Sequence, residues 1–154
     1  MLLNLLDIVT ITLAALVLGV FWGPWLALTR SLDALAAPVF LQVVHRLDRN
    51  LGRSMTILYP ITLVAIVVML IVSFRCTAAA FWLVAAGLAM FVLALIVTST
   101  IEVPIVAKIR DWTEDTMPAN WQALRDRWVS FHLLRVIPGI LGVALLTAGA
   151  LWQR

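Results

Sequence analysis

Long unbroken apolar runs, not an alternation of apolar and polar positions, dominate this chain. Four are long enough to cross a hydrocarbon core, which takes about 20 helical residues. They run from about Leu5 to Leu28, Met55 to Phe74, Ala78 to Val106 and Val129 to Trp152. The pattern predicts an all-α fold: a four-transmembrane-helix bundle forming a single integral membrane domain over residues 1–154. The first run carries Asp7 where a secretory signal would be basic, and Gly23-Pro24-Trp25 makes a poor cleavage site. It is therefore expected to stay in the mature protein.

The connections differ in kind. Ser73-Phe74-Arg75-Cys76-Thr77 is short enough to be a tight helical hairpin. Residues 29–54 contain Pro38 and then an apolar set (Val39, Phe40, Val43, Val44, Leu47, Leu51) set against Gln42, Arg46, Arg49 and Asn50. That periodicity predicts an amphipathic interfacial helix. Residues 107–128 read as a loop followed by a second short helix that opens after Pro118 and runs into the fourth span.

Composition agrees with this reading. The chain is 64% hydrophobic and 12% charged, whereas soluble domains average about 45 to 50% apolar and about 25% charged. The net charge of +3 could suggest nucleic-acid binding, but the basic residues punctuate apolar runs instead of forming a patch, so nucleic acid is not an expected partner. Nine of the eleven lysines and arginines fall on one side of the expected bundle: Arg30, Arg46, Arg49 and Arg53, then Lys108, Arg110, Arg125, Arg127 and Arg135. Arg75 and Arg154 fall on the other. The positive-inside rule then places both long connections in the cytoplasm and both termini outside it, in a plasma (inner) membrane. Trp22, Trp25, Trp112, Trp121 and Trp128 sit near that cytoplasmic boundary, as an aromatic belt would.

Small residues at spacings of four suggest where helices meet. Ala15, Gly19, Gly23 and Ala27 form one ridge, and Ala86, Ala94 and Thr98 another. Membrane lipids are the obligatory partners, and the ridges would also serve a homo-oligomer or a larger membrane complex. The lone Cys76 excludes an intramolecular disulfide.

An ionisable residue at the bilayer centre costs about 2.5 to 3.5 kcal/mol on insertion scales, so each one within a span needs a partner or a use. Glu102 in the third span and His132 and Arg135 in the fourth qualify. Trp121, Arg125, Trp128, His132 and Arg135 are spaced 4, 3, 4 and 3 and share a helical sector of roughly 80°, which Gly139 continues. Arg127 points elsewhere. Glu102 is expected to pair with Arg135, and with His132 the three are expected to line a pocket near the cytoplasmic leaflet. Trp128, set among cations on that face, would suit stacking on a flat ligand. His45, the other histidine, is expected on the same side of the membrane as His132. His45, Glu102 and His132 match the inventory of a non-haem iron facial triad, and the two histidines that of a bis-histidine haem. Neither a His-x-x-x-His nor a Glu-x-x-His pair is present, so the sequence assigns no metal ligands and leaves the cofactor open.

The run Glu102-Val-Pro104, Ile109-x-x-Trp112, Pro118-x-x-Trp121 and Arg125-x-x-Trp128-x-x-x-His132-x-x-Arg135 resembles the signature of the anthrone-oxygenase-like family of small four-helix membrane proteins. The chain departs from that pattern after Pro104, where Ile105 and Val106 follow. The resemblance implies oxidation of a flat, lipophilic, acidic aromatic, an anthrone, by molecular oxygen to a quinone. It further implies His132 as base, Glu102 as its orienter, and Arg135 with Arg125 as stabilisers of an enolate oxygen. Trp128, Trp121, His45 and Gly139 would complete the ligand site. Two other classes stay open: a non-catalytic membrane subunit, and a lipid, quinone or haem binder.

Overall fold

A computed structural model describes residues 2–153, without the side chains of Leu2, Thr29 and Arg30. The Arg30 side chain and Arg154, both used in the charge count, lie outside the described residues. Four long helices make up the bundle: α1 (Leu2–Ala27), α2 (Ala37–Ser73), α3 (Ala78–Arg110) and α4 (Trp121–Trp152). Each is long and apolar enough to cross a membrane, and in none is more than 33% of the most apolar window buried inside the bundle. Ile57, Val64, Ile71, Trp82 and Leu151 are among the many large apolar side chains left facing outward. A surface that is apolar on this scale is solvated by lipid, not water.

Two boundaries differ from the hydropathy reading. The amphipathic segment Ala37–Leu47 is not a separate interfacial helix. It runs through a π-helical turn, Asp48–Gly52, into the span proper, buries Phe40, Leu41 and Val44, and packs on the end of α3. The third helix extends past Val106 to Arg110 through a second π-turn, Thr98–Glu102. The fourth helix runs unbroken from Trp121, and the hairpin at residues 73–77 is as tight as its length requires. The hydroxyl of Thr77 caps α3 by accepting from the Ala80 amide at 3.1 Å and itself donates to the Trp152 carbonyl at 2.9 Å.

The helices form a closed ring, α1 to α2 to α3 to α4 and back to α1, with α3 and α4 packed most closely. Glycine permits that approach. A Cβ on Gly149 would stand 2.6 Å from Val84, and one on Gly142 would stand 2.7 Å from the Phe91 ring. The α1 ridge behaves otherwise: among the described residues no atom beyond the local helix backbone lies within 4 Å of a Cβ placed on Gly19 or Gly23, and Ala15, Gly19, Gly23 and Ala27 all face outward.

Candidate functional site

The second π-turn follows from its sequence. Pro104 has no N–H to offer the Thr100 carbonyl four residues back, and Val103 reaches back five residues to the Thr98 carbonyl instead. Hydroxyls bond the neighbouring carbonyls: Thr98 donates to Ala94 and Ser99 to Leu95, both at 2.8 Å, and Thr100 to Ile96 at 2.6 Å. Such side-chain bonds compete with the helical ladder and bend it. The turn carries Glu102 inward, where it is 3% exposed. π-turns recur at functional sites because the extra residue re-aims a side chain.

Glu102 meets the fourth helix. Its Oε2 pairs with Nη1 of Arg135, and its Oε1 lies 3.7 Å from Nδ1 of His132. Arg135 Nη2 donates to His132 Nδ1 at 2.9 Å, and the guanidinium sits 4.7 Å from the centroid of the Phe21 ring. Because arginine has no acceptor, the Nδ1 of His132 must present its lone pair to Arg135. The other ring nitrogen, Nε2, is 3.0 Å from the Phe21 carbonyl and must therefore carry the hydrogen and donate it. Geometry thus fixes a neutral imidazole with hydrogen on Nε2. Glu102 Oε1, Arg135 Nε and Trp128 Nε1 are buried with no hydrogen-bond partner among the described residues.

These residues border a cavity of about 510 Å³ to which all four helices contribute, a size suited to a small molecule. Its wall is mostly apolar, and Tyr59, Thr98, Glu102, Trp128, His132 and Arg135 are among its polar contributors. Tyr59 was not anticipated from sequence. Its buried hydroxyl donates to the Phe91 carbonyl at 2.7 Å, tying α2 to α3. A lone tyrosine beside Pro60 in the middle of an apolar span was the available signal.

The other residues expected at the site lie elsewhere. Trp121 packs on Phe40, ring centroids 5.0 Å apart. Arg125 sits over Trp121 and pairs with its neighbour Asp126 at 2.8 Å. His45 is half-buried, and its Nε2 is 3.1 Å from the Ile109 carbonyl. Gly139 faces α1, where a Cβ would stand 3.1 Å from Leu18. None of these four lines the cavity. The facial-triad inventory is not assembled either. Among the described residues no three His, Cys, Asp or Glu side chains group closely enough to hold a metal ion, and His45 is engaged outside the cavity.

The family model described as anthrone oxygenase matches residues 49–145. No curated protein and no solved structure matches the chain. The matched segment holds Glu102, Trp128, His132 and Arg135, while Phe21 lies before it.

Proposed function

The chain belongs to the anthrone oxygenase family, and from that premise we propose that its cavity binds a flat lipophilic aromatic and promotes its oxidation by molecular oxygen. For an anthrone the balance is one anthrone and one O₂ giving one quinone and one water. The ring CH₂ loses a proton to a base, the resulting enolate gives up electrons to O₂, and the oxygenated carbon then expels water to leave the second carbonyl.

The observation that carries this reading is the buried cluster in the cavity wall. One oxygen of Glu102 is held by Arg135 and the other has no hydrogen-bond partner among the described residues. The hydrogen bonds of the His132 ring alter the roles that the resemblance implied. Both nitrogens of His132 are engaged, so Glu102 is the better candidate for the base. His132 becomes a positioning residue that sets the guanidinium of Arg135. Arg135 Nε and Trp128 Nε1 are donors available to a developing oxyanion. Arg125 is turned to Asp126, outside the cavity, and takes no part in this scheme.

The test is oxidation of 1,8-dihydroxyanthrone by the purified protein in lipid nanodiscs, followed as quinone absorbance and oxygen uptake. We expect Glu102→Gln to lower kcat by about 10²-fold or more with ligand affinity largely kept. A wild-type rate equal to spontaneous oxidation overturns the enzyme reading.

A membrane subunit or homo-oligomer is a second reading, supported by the outward ridge of Ala15, Gly19, Gly23 and Ala27 on α1. Native mass spectrometry from detergent tests it, with Gly19→Leu expected to dissociate any assembly. For placement, the proposal is a plasma (inner) membrane with both termini outside the cytoplasm. A reporter fused after Arg154 that behaves as cytoplasmic would overturn it.

A further inference from the structure

We infer that the cavity is entered sideways, from the hydrocarbon of the bilayer, through a slot between α2 and α3. The inference rests on the reading that the cavity holds a lipophilic ligand. Tyr59, Glu102, Trp128 and His132 in the wall are buried, but five cavity-lining residues are exposed on the outside of the bundle: Thr56 and Pro60 on α2, Ser99 and Val103 on α3, and Arg110 at the polar end of α3. A spacing of four puts each pair on one line along its helix, so the two pairs form facing rims. The two hydroxyls on the rims are already used. Thr56 donates to the Arg53 carbonyl at 2.7 Å and Ser99 to the Leu95 carbonyl at 2.8 Å. What the rims offer a passing molecule is therefore hydrocarbon, with no hydrogen bond to break.

The ends of the slot are tied by contacts between the same two helices. Toward the bundle interior the Tyr59 hydroxyl holds the Phe91 carbonyl. Toward the polar loops Arg110 grips Asp48 with two bonds, at 2.8 and 3.0 Å, and both residues also line the cavity. From Asp48 to Tyr59 the slot spans about 16 Å at about 1.5 Å per residue. An ion pair thus occupies the water-facing end while the lipid-facing side is uncharged. A substrate already dissolved in the membrane would not have to cross into water to reach Glu102.

The experiment uses the full chain in phosphatidylcholine vesicles, with 1,8-dihydroxyanthraquinone as the probe and tryptophan quenching as the stopped-flow signal. Ser99→Phe should slow association and dissociation together by about tenfold, leaving Kd within about threefold, as narrowing an entrance does. Asp48→Ala should change the rates less than about twofold. If Asp48→Ala speeds association about tenfold while Ser99→Phe changes nothing, entry is from water; that overturns the slot but leaves the cavity reading standing. No saturable quenching of the unsubstituted protein would overturn both. Should Ser99→Phe fail to fold, a nitroxide at Thr56→Cys in a Cys76→Ala background reads the rim directly. Collisions with oxygen should exceed those with a water-soluble nickel chelate, and the reverse order overturns the slot.

Discussion

The two ends of this bundle solve the same packing problem in opposite ways. Around Gly87, Gly142 and Gly149, α3 and α4 approach so closely that an added Cβ would strike Leu146, Phe91 or Val84 within 3 Å. Around Glu102 the helices are instead irregular. Pro24 and Pro60 interrupt α1 and α2, π-turns interrupt α2 and α3, and a cavity of about 510 Å³ stays open between them. One end gains stability from contact, since apolar side chains gain nothing from leaving lipid. The other end gives up contact and depends on a few polar bonds. The difference suggests that the tight end is scaffold and the loose end is the working part.

Substitutions can break or sharpen that contrast. The largest effect is expected at the loose end, where Arg135→Gln would leave Glu102 buried and unpaired, at a cost of about 3 to 5 kcal/mol. The double change with Glu102→Gln should recover much of this in reversible unfolding from mixed micelles; strictly additive losses would mean that the pair does not act as a unit. Next comes Gly142→Leu at the tight end, destabilising by about 1 to 3 kcal/mol through overpacking against Phe91 while leaving cavity affinity unchanged in the survivors. Thr77→Ala removes the α3 cap and its bond to Trp152, a loss of about 1 kcal/mol in the same assay. Smallest is Gly19→Ala on the outward ridge, within about 0.5 kcal/mol for a monomer. A much larger loss there would show that the ridge is covered.

The tight end was only half legible in the sequence. Hydropathy located the spans, but spacing drew attention to Gly19 and Gly23, which face outward, and passed over Gly142 and Gly149. A repeat of small residues says that an approach is allowed and not which helix arrives. The charged cluster was more legible, because burying Glu102, His132 and Arg135 is costly enough that mutual pairing was the economical outcome. Its limits came from non-local contacts. The helical wheel grouped Trp121, Arg125 and Gly139 with His132, yet α4 is flanked by different neighbours along its length, so one face meets Phe40, then the cavity, then α1. The fate of His45 depended on the Ile109 carbonyl, 64 residues away. The π-turns were hidden because a five-residue backbone bond leaves no apolar period to read. The hydroxyl run Thr98-Ser99-Thr100 ahead of Pro104 was the one available hint.

The bond from His132 to the Phe21 carbonyl joins helices 111 residues apart in the chain, and this bears on how the protein is made. During synthesis α1 enters the membrane first and Glu102 follows on α3, both before Arg135 has left the ribosome. Until the last helix arrives, Glu102 lacks the Arg135 guanidinium that pairs with it in the finished bundle, and an unpaired acid within a span is costly. Seating of α4 then supplies the guanidinium to Glu102 and the imidazole to Phe21 together. A chain stalled before α4 would carry an unmatched acid in the membrane, a mark by which quality-control proteases could distinguish it from the finished protein.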